Sequence, residues 1–213
     1  MEEKTGSEGY ALIITGGDCD TEAAGRIIPE DPGIVIAADS GLETALRLGI
    51  EPDVALGDFD SYTGEIPEKC RVRVIPREKD VTDTMYAAMT AVSMGFGSIL
   101  VIGGTGGRLD HTVANLQMLV KLSSDGIRAV MTDGRNTVRA LRDETFVLRP
   151  YRGYFSLFSF EGCELTLEGC KYPLDGYRLG CSDSLAVSNE TLGRDTVITV
   201  KGQALLMTYE TTE

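Results

Sequence analysis

The sequence predicts an α/β fold: a mostly parallel, helix-covered sheet over the first two thirds of the chain, followed by an all-β sandwich. Three observations predict it. Up to about Thr132, short β-branched apolar runs alternate with segments of helical period, the pattern of parallel strands joined by crossover helices. Beyond Asp133-Gly134 the helical period disappears, and short strand-like runs separated by Gly, Asp and Pro take over. At 213 residues, 42% of them hydrophobic, the chain can bury a real core as one large or two modest domains. The expected units are 1–134 and 135–213, divided within the turn-forming stretch 133–136.

In the first unit the expected strands are 11–15, 34–38, 54–56, 72–75, 98–102 and 128–132. Between them, 40–48 reads as a helix with a capping box, Ser40 accepting from the Glu43 amide and Gly49 supplying the stop. A helix over 81–94 is expected to bury Met85, Ala88, Met89 and Val92 and to end at Gly95. A third, over 110–122, presents Leu109, Val113, Leu116 and Val120 as one stripe. In the second unit the expected strands are 137–141, 146–148, 154–160, 164–167, 185–188, 197–200 and 204–209.

Charge and composition exclude several classes of function. A formal charge of −13, from 33 acidic and 20 basic residues, argues against nucleic acid or an anionic membrane as partner. Five scattered cysteines, never spaced Cys-x-x-Cys, indicate neither a disulfide framework nor a zinc knuckle, and a reducing cytoplasm fits best. No apolar run approaches the ~20 residues needed to span a bilayer. The single histidine, His111, excludes sites that need two or more within one chain.

In an open parallel sheet, ligands bind beyond the carboxyl ends of the strands. Here those ends are small and polar: Gly16-Gly17-Asp18, Asp39-Ser40-Gly41, Gly57-Asp58-Phe59-Asp60-Ser61, Lys79-Asp80-Val81-Thr82-Asp83, and Gly103-Gly104-Thr105-Gly106-Gly107-Arg108-Leu109-Asp110-His111. Any one of these is an ordinary turn; five in succession point to a site. Asp58 and Asp60, at i and i+2, project to one side of an extended segment. Two like charges so close cost on the order of 4 kcal/mol without an intervening cation, and oxygen-only donors suit magnesium, which binds a few carboxylates together with substrate phosphates. The glycines of 103–107 let backbone amides approach an anion, the following helix adds partial positive charge, and Arg108 adds a planar fork. This is neither a Walker A sequence nor a dinucleotide fingerprint. The residues alone therefore describe a metal-nucleotide or metal-phosphate site.

Taken in order, Ala38-Asp39-Ser40-Gly41, the 57–61 and 79–83 segments and the 103–111 segment resemble thiamin pyrophosphokinase. The resemblance extends through Gly169-Cys170-Lys171-Tyr172-Pro173-Leu174 and Ser188-Asn189-Glu190 to nearly the whole chain. It implies an α/β nucleotide-binding unit, a β-sandwich, a homodimer with sites at the subunit interface, and conversion of ATP and thiamine to AMP and thiamine diphosphate with Mg2+. It implies Asp58, Asp60 and Asp83 as metal ligands. It implies nucleotide contacts at Asp39, Thr82, Arg108 and Asp110, and thiamine contacts at Tyr172, Ser188 and Asn189; Ser40, Lys79, Gly103, Gly104 and His111 complete the expected ATP site. Asp58, Asp60, Asp83, Arg108 and Asp110 form the expected catalytic set, with Asp83, Asp110 or His111 as the proton acceptor. Ser40 and Tyr172 depart from common members, which carry glycine and, in animals, tryptophan. Asn115 faces either the site or solvent. Two other readings share this architecture: a phosphotransferase acting on another small alcohol, and a nucleotide sensor without catalysis.

Overall fold

Among the described residues, eleven strands and four helices follow one another: β1 (Ala11–Ile14), α1 (Thr21–Ile27), β2 (Ile34–Ala38), α2 (Gly41–Arg47), β3 (Val54–Gly57), β4 (Arg71–Val74), α3 (Asp83–Ser93), β5 (Ser98–Ile102), α4 (Leu109–Ser124), β6 (Arg128–Thr132), β7 (Asn136–Leu148), β8 (Gly153–Phe158), β9 (Cys163–Glu168), β10 (Leu174–Leu179) and β11 (Thr196–Glu210). The structure, a computed structural model, describes residues 9–58, 64–75 and 80–211. Among them no helix is long and apolar enough to cross a membrane.

The strands form one sheet in the order β10-β9-β11-β7-β6-β5-β1-β2-β3-β4, with β8 also paired to β11. From β6 to β4 every pairing is parallel. Central β1 is apolar at every position because both its faces are covered. Its alternate residues serve two cores. Ala11 and Ile13 pack with Ala87, Ala88, Ala91, Met118 and Leu119 of α3 and α4, whereas Leu12 and Ile14 pack with Ala24 and Ala45 of α1 and α2. Edge strand β4 is exposed throughout and carries Arg71 and Arg73, charges that discourage edge-to-edge pairing.

Two long strands join the halves of the molecule. The start of β7 pairs antiparallel with β6, and β7 pairs with β11 almost end to end. On its other edge β11 pairs first with β9, over 197–202, then with β8, over 205–210. Leu205 belongs to the helix-covered core. Its neighbours Ala204 and Leu206 belong to a second core with Phe155, Leu157, Leu165, Leu167 and Ile198. The ladder is interrupted between Val200 and Gln203, where Asp143 (φ 46°), Gly162 (φ 89°) and Gly202 (φ 95°) take left-handed conformations. The Gly202 amide donates to the Asp143 carboxylate at 2.7 Å, and Ser159 Oγ donates to the Gln203 carbonyl at 2.7 Å. The irregularities thus gather at one level of three adjacent strands.

Strands β2, β5 and β6 match their expected bounds. Elsewhere the structure corrects the expectations. The segments 137–141 and 146–148 are one strand, as are 197–200 and 204–209, because the β7–β11 pairing resumes on both sides of the irregularity that the polar residues form. The segment 185–188 lies outside the named strands, while α1 and β10 are additional elements. The capping box does not form: Asp39 takes φ 52°, Ser40 is already helical, and the Ser40 carbonyl rather than its hydroxyl accepts from the Glu43 amide. Met89 is 51% exposed because α3 approaches the sheet on its alanine face. In α4 the buried face is Asn115, Met118, Leu119 and Leu122, leaving Leu109 and Val113 exposed. A count of apolar residues passes over Asn115 and so rotates that stripe.

Candidate active site

The chain runs from β1 outward through β2, β3 and β4, then returns to place β5 on the other side of β1. That reversal makes the β1/β5 boundary the switch point at which an open α/β sheet binds ligands. Thr15, Gly16, Gly17 and Asp18 leave β1 there, and residues 103–108 leave β5. The four residues after β1 line a cleft of about 310 Å³ together with Asp39, Ser40, Thr82, Asp83, Gly104, Gly106, Gly107, Arg108, His111 and Asn115. The cleft thus gathers seven of the expected nucleotide and catalytic residues from three separate strand ends, those of β2, β4 and β5.

Each is held by local geometry. Thr82 caps α3, its hydroxyl accepting from the Met85 amide at 3.2 Å, so that Asp83 stands in the first turn. Asp39 donates its amide to the Leu56 carbonyl at 2.7 Å. Gly57, which ends β3, is so near that a Cβ there would lie 3.2 Å from the Asp39 Cα. Asp58 follows directly and is half-buried. Gly103 and Gly104 take φ 83° and 82°, and a side chain on Gly104 would meet the Met131 sulfur at 2.6 Å. Glycine is therefore required there on two grounds, conformation and space.

Arg108 makes a two-pronged contact with Asp110: Nε to Oδ1 at 3.1 Å and Nη2 to Oδ2 at 2.5 Å. The Arg108 guanidinium holds the Asp110 carboxyl below the usual carboxylate range, and Asp110 in turn raises Arg108. Asp110 also accepts from the His111 amide at 3.0 Å. Asp110 is exposed and stands behind Arg108 rather than among the residues lining the cleft. Of the expected metal ligands, Asp83 lines the cleft and Asp58 adjoins it, while Asp60 and the nucleotide contact Lys79 lie outside the described residues. No group of three His, Cys, Asp or Glu side chains converges to hold a metal among the described residues. Asp39 and Asp83 nonetheless line the same cleft as Arg108, carboxylate oxygens of the kind that suits a magnesium ion bound jointly with phosphates.

The three expected thiamine residues lie in the second unit, apart from this cleft. Tyr172 is 55% exposed, and Lys171 lies 5.6 Å from its ring centroid while pairing with Glu190 at 2.6 Å. Ser188 is exposed and takes φ 59°, a left-handed conformation uncommon outside glycine and asparagine. Asn189 is 2% exposed and its amide group is engaged within the protein. Its Oδ1 accepts from the Tyr172 amide at 3.0 Å and the Glu190 amide at 2.9 Å, and its Nδ2 donates to the Tyr172 carbonyl at 2.7 Å. Direct thiamine contact by Asn189 therefore conflicts with its burial, and the geometry makes it the residue that holds Tyr172 in place.

Sequence reading missed how the 103–107 loop is fastened. Asn115 donates to the Gly104 carbonyl at 2.9 Å, Thr105 Oγ1 donates to Asp133 at 2.5 Å, and the Gly107 amide donates to Asp18 at 3.2 Å. Only Asp133 carried a local signal, an Asp followed by Gly-Arg-Asn in a side-chain-capped turn.

A switch-point cleft with glycine-borne amides, carboxylates and one arginine, on a sheet that continues into a β unit, defines a two-part enzyme that handles phosphate esters. Residues 29–131 match the family model described as "Thiamin pyrophosphokinase, catalytic domain", and 138–206 match "Thiamin pyrophosphokinase, vitamin B1 binding domain". The chain belongs to the thiamin pyrophosphokinase family. It is 33% identical over 168 residues to thiamine pyrophosphokinase of Bacillus subtilis (strain 168), covering 73% of this chain and 78% of that one. The crystal structure of Bacillus subtilis thiamine pyrophosphokinase superposes with a TM-score of 0.82 at 28% identity, covering 94% of this chain and 99% of that chain. Thiamin pyrophosphokinase from Geobacillus thermodenitrificans gives 0.78 at 26%, covering 96% and 99%.

Proposed function

We infer that the chain is a thiamine diphosphokinase, transferring the pyrophosphoryl group of ATP to the hydroxyl of thiamine and releasing AMP. The observation that carries this is the pairing of the two matched units: a phosphate cleft at the switch point and a vitamin B1 binding module on the same sheet. A phosphotransferase for another alcohol would not call for the second module, and a sensor would not call for the carboxylates beside Arg108.

The hydroxyl oxygen attacks the β-phosphorus in line as the bond to the α-phosphate bridging oxygen breaks, so the protein's task is positioning and charge neutralisation. Gly103 and Gly104 bring the loop backbone up to the phosphates, with the Gly104 amide as donor because the Gly103 amide is taken by the Thr132 carbonyl at 2.8 Å, and Asp39, Ser40, Lys79, Thr82 and His111 complete the nucleotide contacts. Arg108 offers its remaining N–H donors to the transferred group while Asp110 fixes its plane. Asp58, Asp60 and Asp83 hold Mg2+, which supplies charge neutralisation on the phosphates when bound. Of the candidate proton acceptors, Asp83 is preferred. Between the two aspartates, Asp83 lines the cleft, as His111 also does, whereas the Asp110 carboxylate is committed to Arg108 and is the weaker base for it. Tyr172 offers an aromatic face to the pyrimidine ring, with Ser188 beside it.

Units 1–134 and 135–213 divide these tasks. A homodimer fits the exposed face of β8 and β11, where Tyr154 pairs beside Tyr209 and Phe158 is also exposed, with exposed Leu185 and Val187 flanking Ala186, whose carbonyl accepts from the Leu157 amide of β8 at 2.9 Å. The five free cysteines suit a cytoplasmic setting. Purified protein incubated with ATP, magnesium and thiamine is expected to give AMP and thiamine diphosphate in equal amounts. ADP with thiamine monophosphate would refute pyrophosphoryl transfer, and turnover confined to other alcohols would move the substrate.

A further inference from the structure

The loop 103–107 has a mechanical difficulty. Four of its five residues are glycines, with φ of 83°, 82°, 75° and 60°, and such a backbone gains conformational freedom in every state in which it is not held. Amides that must meet phosphate oxygens at hydrogen-bond distance need restraint from elsewhere. Thr105 is the loop's one side chain. It is absent from the residues that line the cleft, and its hydroxyl meets Asp133 Oδ2 at 2.5 Å.

Asp133 is built to receive it. Its Oδ1 accepts from the Arg135 amide at 2.9 Å and the Asn136 amide at 2.7 Å, and its Oδ2 accepts from Asn136 Nδ2 at 2.8 Å. Its carbonyl accepts from the Asp20 amide at 2.9 Å. The carboxylate is thus immobilised by the β6–β7 turn, the point at which the sheet of the first unit passes into the strand that continues through the second. Gly134 there has no room for a side chain, since a Cβ would lie 2.7 Å from the Asp20 carbonyl.

We propose that Asp133, acting through the Thr105 hydroxyl, is a positioning residue for the nucleotide: it fastens the phosphate loop to the inter-unit turn and thereby sets the loop's affinity for ATP. This rests on the reading of the cleft as the ATP site. Neither residue touches the reacting atoms. The other fastenings, the Gly103 amide on the Thr132 carbonyl at 2.8 Å, Asn115 on Gly104 and Asp18 on Gly107, hold the loop's two ends, so loss of the Thr105 bond loosens its middle without unfolding it.

The test separates the hydroxyl from the methyl group. Thr105→Val keeps shape and removes the donor; Thr105→Ser keeps the donor and removes the methyl. ATP affinity is measured by calorimetry with magnesium and without thiamine, alongside steady-state KM values for both substrates. Thr105→Val is expected to weaken ATP binding about tenfold, the effect of one lost hydrogen bond, to raise the ATP KM in parallel, and to leave the thiamine KM within about twofold. Thr105→Ser is expected to bind ATP within about twofold of the parent. An unchanged Thr105→Val, a Ser variant as weak as the Val variant, or equal shifts in both KM values would overturn the proposal. If the parent binds ATP but makes no thiamine diphosphate, the functional reading fails while the ATP affinities still judge the fastening. If the parent binds no ATP, both fail.

Discussion

The rim of the parallel sheet and the Tyr172 region of the β unit solve the same problem, presenting chemistry to a ligand, by opposite means. At the rim, carboxylates and glycine amides come directly off strand ends, and the side chains that do the holding are Asn115, Asp133 and Asp18, one contact each. Around Tyr172 a single buried side chain does nearly all of it, Asn189 standing in for a neighbouring strand by pairing with both the amide and the carbonyl of Tyr172. The rim distributes its restraint over three elements; the β unit concentrates it in one amide group. Perturbations at the rim should therefore act mainly on chemistry and ATP, and perturbations of the β unit on thiamine and on local stability together.

The largest expected effect is at the rim. Asp83→Asn keeps the size of a side chain in the first turn of α3 but removes a charge from the cleft. Turnover should fall by about 10² or more, the usual consequence of losing an electrostatic contact made in the transition state. The melting temperature should stay within a few degrees. AMP release under saturating substrates measures it; turnover close to the parent's would remove Asp83 from both metal binding and proton transfer.

In the β unit, Tyr172→Ala should raise the thiamine KM about tenfold, a loss of stacking worth about 1.4 kcal/mol, and leave the ATP KM unchanged. Tyr172→Phe should retain most of the affinity, because the ring and not the hydroxyl is the proposed contact. Equal rises in both KM values would erase the contrast between the regions.

Asn189→Ala tests the concentration of restraint. It leaves the Tyr172 amide and carbonyl and the Glu190 amide without their partner, at a cost of about 1–3 kcal/mol for buried polar groups so deprived. The melting temperature should drop by several degrees, with a thiamine KM raised as in Tyr172→Ala. A variant of normal stability whose thiamine KM alone is raised would restore Asn189 as a direct contact.

These contrasts bear on what could be read from the residues alone. The parallel half was legible because β1, β2 and β5 are buried on both faces and read as apolar runs, and because the functional residues lie in the segments that lead from a strand end into the first turn of the next helix. The long strands β7 and β11 were not. Asp143, Gly202 and neighbouring polar residues look like turns locally, and only the pairing partners show that the chain continues through them. The contacts that Asn115 and Thr105 make escaped for a related reason. Their partners, Gly104 and Asp133, are 11 and 28 residues away, and no periodicity records a contact made at that separation. Tyr172 and Asn189, 17 residues apart, entered through family resemblance alone, which names positions without saying which of them faces the ligand.

The smallest expected effect links the two regions, since Asp133 lies in the turn between them. Burial works against ionisation of its carboxyl, but hydrogen bonds from the Thr105 hydroxyl, the Asn136 and Arg135 amides and the Asn136 side chain outweigh burial and lower it below its ordinary 3.8. A carboxyl lowered on folding adds stability that is fully present above the unfolded value and is lost as pH falls through the folded one. The difference in stability between the parent and Asp133→Asn, measured by denaturant unfolding, should therefore be constant from about pH 7 down to about 5. It should then shrink as pH falls through the ordinary carboxylate range toward the lower folded value. A difference independent of pH down to about 3 would mean that the charge on Asp133 is immaterial and that hydrogen-bond geometry alone fastens the phosphate loop to the turn.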